Sequence, residues 1–273
     1  ERRARFDGSK LVLNVLLPLA GVLVALGFGA FLLILLKANP IEAYTALVKG
    51  AVGNKFGLTL TLVKTAPLLL VGAGICIAFR ANVINIGGEG QIILGALAGT
   101  WIPLALPGLP GWLLIPLSCL GGVLAGGIWG FVPGILKARL RVNEILSTIM
   151  MNAIALQLLN LLLQGPLMDP EGIAHGTYLA QSAQLPKQAW LHRMAPPTLL
   201  HTGVLIAVAM AILVYIFLWR TTIGYNIRAV GLNPDASRYS GIKVPFYEAL
   251  SLTLAGGLAG LAGVIEVIGV QHR

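Results

Sequence analysis

The densest polar cluster in the chain is Asn82-Val-Ile-Asn85-Ile-Gly87-Gly88-Glu89-Gly90-Gln91, directly after Phe79-Arg80-Ala81. Two asparagines, a glutamine and a glutamate within ten residues offer a polar solute several amide donors and acceptors, and Glu89 could serve as a base or counter-ion. Three glycines around the glutamate each weaken a continuous helix by about 1 kcal/mol relative to alanine. The block therefore reads as a broken or re-entrant helix start, of the kind that lines a cavity and turns backbone dipoles towards a substrate. The plainer reading is that Glu89 pairs with Arg80 or Lys64 and only locks helices together. A second set, Glu144, Thr148 and Asn152, is spaced i, i+4, i+8 and shares one helix face. Gln157, Asn160 and Gln164 recur at i, i+3, i+7 on another face. A membrane helix carrying this many amides faces a cavity or other helices rather than lipid, and hydrogen bonds between helices would use the amides as well. The candidate substrate path is Asn85, Glu89, Gln91 and Asn152.

Other chemistry is hard to place. His175, His192, His201 and His272 are scattered and lack metal-ligand spacing, and no HExxH, CxxC pair, nucleophile elbow or clustered carboxylate pair occurs. No G-x-x-x-x-G-K-[ST] is present, so the chain has no P-loop of its own. Cys76 and Cys119 both fall within apolar runs and imply no disulfide framework. An integral-membrane enzyme using Glu89 or Glu144 as base is the alternative from a different class, and a channel without energy coupling is a third.

These groups must be held by elements that water cannot cover. The 273 residues are 57% hydrophobic and 11% charged, with a mean hydropathy of +0.86, whereas a soluble domain carries about 25% charged residues. Seven apolar runs are long enough to cross a bilayer: 11–36, 58–79, 83–106, 111–136, 144–163, 199–219 and 246–270. Only helices satisfy the backbone of such runs in lipid. The fold class is all-α, a polytopic integral membrane protein of about seven transmembrane helices, expected to form one domain over residues 1–273. Gly122, Gly126 and Gly130, and likewise Gly256 and Gly260, are four apart, a spacing that lets helix backbones approach closely.

Placing the N-terminus inside puts twelve basic residues on the cytoplasmic side. These are Arg2, Arg3, Arg5, Lys10, Arg80, Lys137, Arg139, Arg141, Arg220, Arg228, Arg238 and Lys243. Six fall outside (Lys37, Lys49, Lys55, Lys187, Arg193 and Arg273), and Lys64 lies within a span. Twelve against six favours this orientation, so the net charge of +9 marks the cytoplasmic face rather than nucleic-acid binding. The connection 164–198 is then external, and 221–245 is cytoplasmic. Within the latter, Asn233 is a good N-cap and Pro234 suits the first helical position. Asp235 complements the positive helix end and Gly241 can take the left-handed terminating turn. A short capped helix between two spans could dock into another protein or simply link the spans.

Three blocks carry a family likeness: Phe79–Gln91, Val142-Asn-Glu-Ile-Leu-Ser-Thr-Ile-Met-Met-Asn152, and Gly224-Tyr-Asn-Ile-Arg-Ala-Val-Gly-Leu-Asn-Pro-Asp-Ala-Ser-Arg-Tyr-Ser-Gly-Ile242. Gly165–Pro170 and Leu200–Gly203 are weaker supports. The chain resembles the permease subunits of bacterial ABC importers in the branched-chain amino acid/simple-sugar permease superfamily, and is most similar to the nucleoside branch. The resemblance implies a multi-pass subunit of the cell membrane that is not itself an enzyme and carries no cofactor. ATP and Mg would be held by a partner, a cytoplasmic ABC ATPase. The other implied partners are a second permease subunit, an extracytoplasmic substrate-binding protein and a small solute: a nucleoside first, then simple sugars or branched-chain amino acids. It implies that the Gly231–Gly241 region is the coupling helix on the ATPase, with Arg228, Gly231, Asn233, Pro234, Arg238, Tyr239 and Gly241 forming or contacting that surface. Family members have further spans after the glycine-rich seventh helix. The chain opens at Glu1 rather than Met and stops at Arg273 just after an apolar run, so both ends are expected to be cut.

Overall fold

The long apolar runs do become helices, in which interior backbone N–H groups find their acceptors four residues back. The computed structural model describes residues 8–170, 174, 176 and 179–273, with side chains from Leu16 onward. Arg2, Arg3, Arg5 and His175 lie outside the described residues. In chain order the helices are α1 (Gly8–Leu35), α2 (Pro40–Val52), α3 (Lys55–Arg80), α4 (Gly88–Ala105), α5 (Gly111–Leu140) and α6 (Glu144–Leu163). They continue with a 3-10 turn at Lys187–Ala189, α7 (Gly203–Arg220), α8 (Thr222–Leu232), α9 (Pro234–Tyr239) and α10 (Val244–Glu266), which runs into a π-helical turn at Val267–Gln271. Two isolated bridges, Met168 with Ser182 and Arg193 with His201, are the β pairing among the described residues.

The chain divides into two compact units, Glu1–Leu58 and Thr59–Arg273. In the first, α2 is started by Asn39, whose Oδ1 accepts from Ile41 N at 3.0 Å, with Pro40 next. The Tyr44 hydroxyl donates to the Leu26 carbonyl at 2.6 Å and ties α2 to α1.

In the second unit α10 is the axis. Of its apolar window 78% is buried, against 33% for α3, 28% for α5, 22% for α7 and 17% for α6. Small residues make this possible. A methyl group on Gly256 would meet the Gly126 carbonyl, one on Gly260 the Gly122 carbonyl, and one on Gly130 the Leu252 carbonyl. α4 joins the same packing, with Gly95 against Gly260 and Gly99 against Val264. The glycine spacing read from the sequence is therefore a seam of helix packing. Outward faces carry large apolar side chains such as Leu124, Ile128, Leu161 and Ile212, all more than half exposed, as lipid contact requires.

Among the described residues six helices are long and apolar enough to cross a membrane: α1, α3, α5, α6, α7, and α10 with its π turn. The third expected span, 83–106, differs. Its helix begins only at Gly88 and has 18 residues, because the Gly-Glu-Gly-Gln start lowers its hydropathy and 83–87 stay non-helical. The described part of the 164–198 connection packs onto the second unit. Leu185, Ala189 and Leu191 are buried, and Leu185 N and Leu191 N donate to the carbonyls of His272 and Ile268 at 2.9 and 3.0 Å.

Candidate functional site

After α3 the chain turns at Asn82, a left-handed residue with φ of 57°, and reaches α4 through irregular backbone. Asn85 and Gln91 are 7% and 1% exposed and bind one another twice: Asn85 Nδ2 donates to Gln91 Oε1 at 3.0 Å, and Gln91 Nε2 to Asn85 Oδ1 at 3.2 Å. Asn85 Oδ1 also accepts from Gly87 N at 2.9 Å. From α6, Asn152 Oδ1 accepts from Gly90 N at 2.9 Å while its Nδ2 donates to the Ile86 carbonyl at 3.0 Å. A methyl group on Gly90 would lie 3.0 Å from both Asn152 Oδ1 and Trp129 Nε1, so glycine is what admits this clasp. Three of the four expected path residues thus come together, and their amides satisfy the backbone groups that a broken helix leaves bare. Glu89 is different. It is exposed and meets no hydrogen-bond or ion-pair partner among the described residues. The expected locks are otherwise engaged: Lys64 pairs with Glu266, and the Arg80 guanidinium lies over the Trp219 ring.

Glu144 opens α6, where Asn143 Oδ1 accepts from Ile145 N at 2.9 Å. Its carboxylate is held by Lys137 at 2.7 Å, both side chains mostly covered, which clamps the turn between α5 and α6. Thr148 Oγ1 donates back to the Glu144 carbonyl at 2.6 Å, so this face serves the turn. Gln157, Asn160 and Gln164 are exposed.

The segment between α7 and α10 is two helices. Thr221 Oγ1 caps α8 by accepting from Gly224 N at 3.1 Å. Arg228 and Gly231 belong to α8, not to the short helix after it. Gly231 is pressed against the Arg80 carbonyl and Ala81, leaving no room for a side chain. The Arg228 guanidinium sits 4.2 Å from the centre of the Trp219 ring. α9 is built as its residues suggest: Asn233 Oδ1 accepts from Ala236 N at 3.0 Å, Pro234 takes the first position, and Gly241 has φ of +81°. Arg238 and Asp235, both exposed, are 3.5 Å apart. Ser237 is buried and roots the helix, while Leu232, the last residue of α8, and Tyr239, the last of α9, project at 88% and 96% exposed. Beside it lies a cavity of about 630 Å³ walled by Lys137, Arg141, Glu144, Asp235, Arg238 and Glu248. Sequence reasoning passed over Leu232 and the Lys137–Glu144 clamp. An apolar residue immediately before an Asn-Pro cap was the available signal for the first, and opposite charges flanking a short break in the apolar pattern for the second.

At the opposite end of the second unit, His201 Nδ1 accepts from Gly203 N at 3.1 Å, and its Nε2 is buried without a partner. His272 stacks on Trp190 with ring centres 3.9 Å apart, and its ring is buried close to the Ile268 backbone. Burial lowers the pKa of both imidazoles, and the nearby Arg193 guanidinium adds to the effect. Among the described residues no three His, Cys, Asp or Glu side chains gather as metal ligands.

The pattern of the family described as branched-chain amino acid transport system / permease component matches residues 57–273. The chain is 34% identical over 260 residues to the guanosine ABC transporter permease protein NupP of Bacillus subtilis, covering 95% of this chain and 74% of that one. Identity is also 34% to the nucleoside ABC transporter permease protein NupB of Lactococcus lactis, over 95% of this chain and 72% of the relative. The same value holds for the glucose ABC transporter permease protein TsgB13 of Haloferax volcanii, over 94% and 68%. No solved structure gives a significant match. An all-helical, membrane-crossing architecture, the family pattern over most of the chain and this identity to several permeases lead to one assignment: the chain belongs to the branched-chain amino acid transport permease family and is a multi-pass membrane permease subunit of an ABC importer.

Proposed function

We propose that this permease carries nucleosides into the cell, with its N-terminus and the 221–245 segment cytoplasmic and the 164–198 connection external. It works with a second permease subunit, receives solute from an extracytoplasmic binding protein, and docks through α9 on a cytoplasmic ABC ATPase that supplies ATP and Mg. The observation that carries the docking is the form of α9 and its junction with α8: a short helix capped at both ends, with Leu232 just before its cap and Tyr239 at its last position both offered to solvent. Exposed apolar side chains on a polar connection mark a surface awaiting a partner. Nucleosides are favoured because the relatives from Bacillus and Lactococcus are named for guanosine and nucleosides. The Haloferax relative, named for glucose, favours a sugar as second reading.

Closure of the ATPase dimer displaces α9, and only a difference in the contacts α9 makes in the two states can bias the permease. The route inwards is short. α9 continues from α8, α8 rests through Gly231 on the end of α3, and the next residues are the clasped 82–91 segment. Movement there would part the Asn85–Gln91 and Asn152 amides and present them, with Glu89, to the solute. An enzyme working through Glu144 is disfavoured by its pairing with Lys137, and Glu89 has no nucleophile or second carboxylate bonded to it among the described residues.

The test is uptake of labelled uridine by the full-length complex in proteoliposomes, with guanosine, ribose, glucose and leucine as competitors. Nucleosides are expected to compete; competition by glucose alone would establish the sugar reading. Arg238→Glu and Asn233→Trp are expected to break the link between ATP hydrolysis and uptake, and Glu89→Gln to slow uptake in a complex that still assembles. Wild-type uptake in all three variants would remove the roles given to α9 and Glu89.

A further inference from the structure

Arg80 ends α3, and Trp219 stands one residue before the end of α7. The guanidinium groups of Arg80 and Arg228 lie 5.4 and 4.2 Å from the centre of the Trp219 ring, so the two cations are at most about 10 Å apart. Neither is paired with a carboxylate among the described residues, and Arg228 Nε is buried without a hydrogen-bond partner. Like charges this close repel, and a buried donor left unmade is costly. An anion within reach of both, at the edge of the Trp219 ring, would relieve both.

The same corner opens on a groove of about 390 Å³ between α3 and α7, walled by Leu68, Gly72, Cys76, Val214, Tyr215 and Leu218 and closed at one end by Arg80 and Trp219. From Leu68 to Arg80 it follows the helix for roughly 18 Å, a little more than one leaflet of a hydrocarbon core about 30 Å thick. Tryptophan at that level is where a membrane interface places it. We propose that this is a binding site for an anionic phospholipid, its phosphate held by Arg80 and Arg228 and one acyl chain lying in the groove. Basic pockets between spans recognise such headgroups. Charge selects this occupant over an apolar helix from a partner, which would supply no counter-charge to either guanidinium group. Because α8 carries Arg228 and is seated on the Arg80 carbonyl, the bound phosphate would fasten the end of α3 to the segment leading into α9. The site needs only that α3 and α7 cross a bilayer; its leaflet rests on the orientation proposed above.

Native mass spectrometry of the full-length permease complex in detergent tests this at rest, independently of which solute is transported. The probes are phosphatidylglycerol, phosphatidylcholine with the same chains, and glycerol phosphate. Phosphatidylglycerol is expected to bind saturably and more tightly than phosphatidylcholine, and to weaken as salt is raised. Each of Arg80→Gln and Arg228→Gln should reduce its affinity roughly fivefold, and the two together about 30-fold, with phosphatidylcholine unchanged. Arg80→Lys with Arg228→Lys should retain most of the affinity. Equal binding of the two lipids by the wild-type complex overturns the proposal, whether or not the glutamine variants assemble. Unchanged phosphatidylglycerol affinity in the double glutamine variant does the same. Glycerol phosphate binding as tightly as the lipid would make this a free-phosphate site and defeat the lipid assignment, as would a partner helix filling the groove.

Discussion

Replacing Gly126 with alanine probes the seam on which the second unit is built. The added methyl would meet the Gly256 carbonyl and lie 2.7 Å from Gly260 Cα and 2.8 Å from Gly260 N. Carbon atoms pack best at about 3.5–4.0 Å, so α5 and α10 must part locally by roughly 1 Å. These neighbours are backbone atoms, and no rotamer change can absorb the clash. A gap of that size forfeits a quarter to a half of each contact. Over roughly 50 atom pairs at ~0.15 kcal/mol each, the loss is about 2–4 kcal/mol, at the upper end of what overpacking costs. Gly127 is the control, one position along the same helix. Its nearest neighbour for an added methyl is the Thr253 carbonyl at 3.5 Å, an ordinary contact, so Gly127→Ala should gain up to about 1 kcal/mol from helix propensity alone. The assay is the melting midpoint of the detergent-solubilised protein, followed by fluorescence-detected size exclusion after heating. Gly126→Ala should melt well below wild type, and Gly127→Ala at or slightly above it. Equal midpoints for the two variants would refute the argument that backbone contact holds α5 to α10.

Other perturbations read other parts of the molecule. Gln91→Leu strands the buried Asn85 amide and should cost about 1–3 kcal/mol, with Asn85→Leu non-additive to it in a double-mutant cycle; additive losses would mean the amides do not act as a pair. Asn233→Ala removes the α9 cap, worth about 1 kcal/mol, and should speed hydrogen exchange of 235–240 roughly fivefold while leaving α7 unchanged. Stability should fall in acid. Above about pH 6.5 the buried His201 and His272 are neutral in both folded and unfolded chain, whereas below it the unfolded chain takes up protons that the folded chain resists. His272→Phe, which keeps an aromatic ring against Trp190, should flatten the melting-point profile between about pH 7.5 and 5; an unaltered slope would place the acid sensitivity elsewhere.

What the sequence made legible was local or periodic. The cap at Asn233-Pro234 and the stop at Gly241 depend on neighbouring backbone alone and appear as their residue types require. The glycines of α5 and α10 declared themselves by spacing, and they do face each other. The same cap chemistry at Asn39-Pro40 starts α2, but a 13-residue helix too short to span was hidden between longer runs. The missing knowledge concerned partners distant in sequence. Lys64 and Glu266 are 202 residues apart, and Asn152 reaches back 62 residues to Gly90. No periodicity reports such pairs. Asn85 and Gln91 are near neighbours, yet their pairing depends on irregular backbone between them, which propensity cannot place. Arg228 and Gly231 are grouped with the coupling helix by the family resemblance, but both lie in α8. Gly231 permits the close approach to Arg80, and α8 runs on through it.

The α5–α10 seam also limits how a transport cycle can proceed. Where side chains interlock, neighbouring helices can slide by re-sorting rotamers; where a carbonyl rests against a glycine Cα, as between Gly126 and Gly256, there is nothing to re-sort. α4, α5 and α10 are therefore expected to travel as one rigid spindle. Shape change falls to what is attached at its two ends: the clasped, non-helical 83–87 stretch and α9 at one, the π turn of Val267–Gln271 under the 164–198 connection at the other. An alternating gate built this way opens by loosening its end fittings while the shaft stays whole.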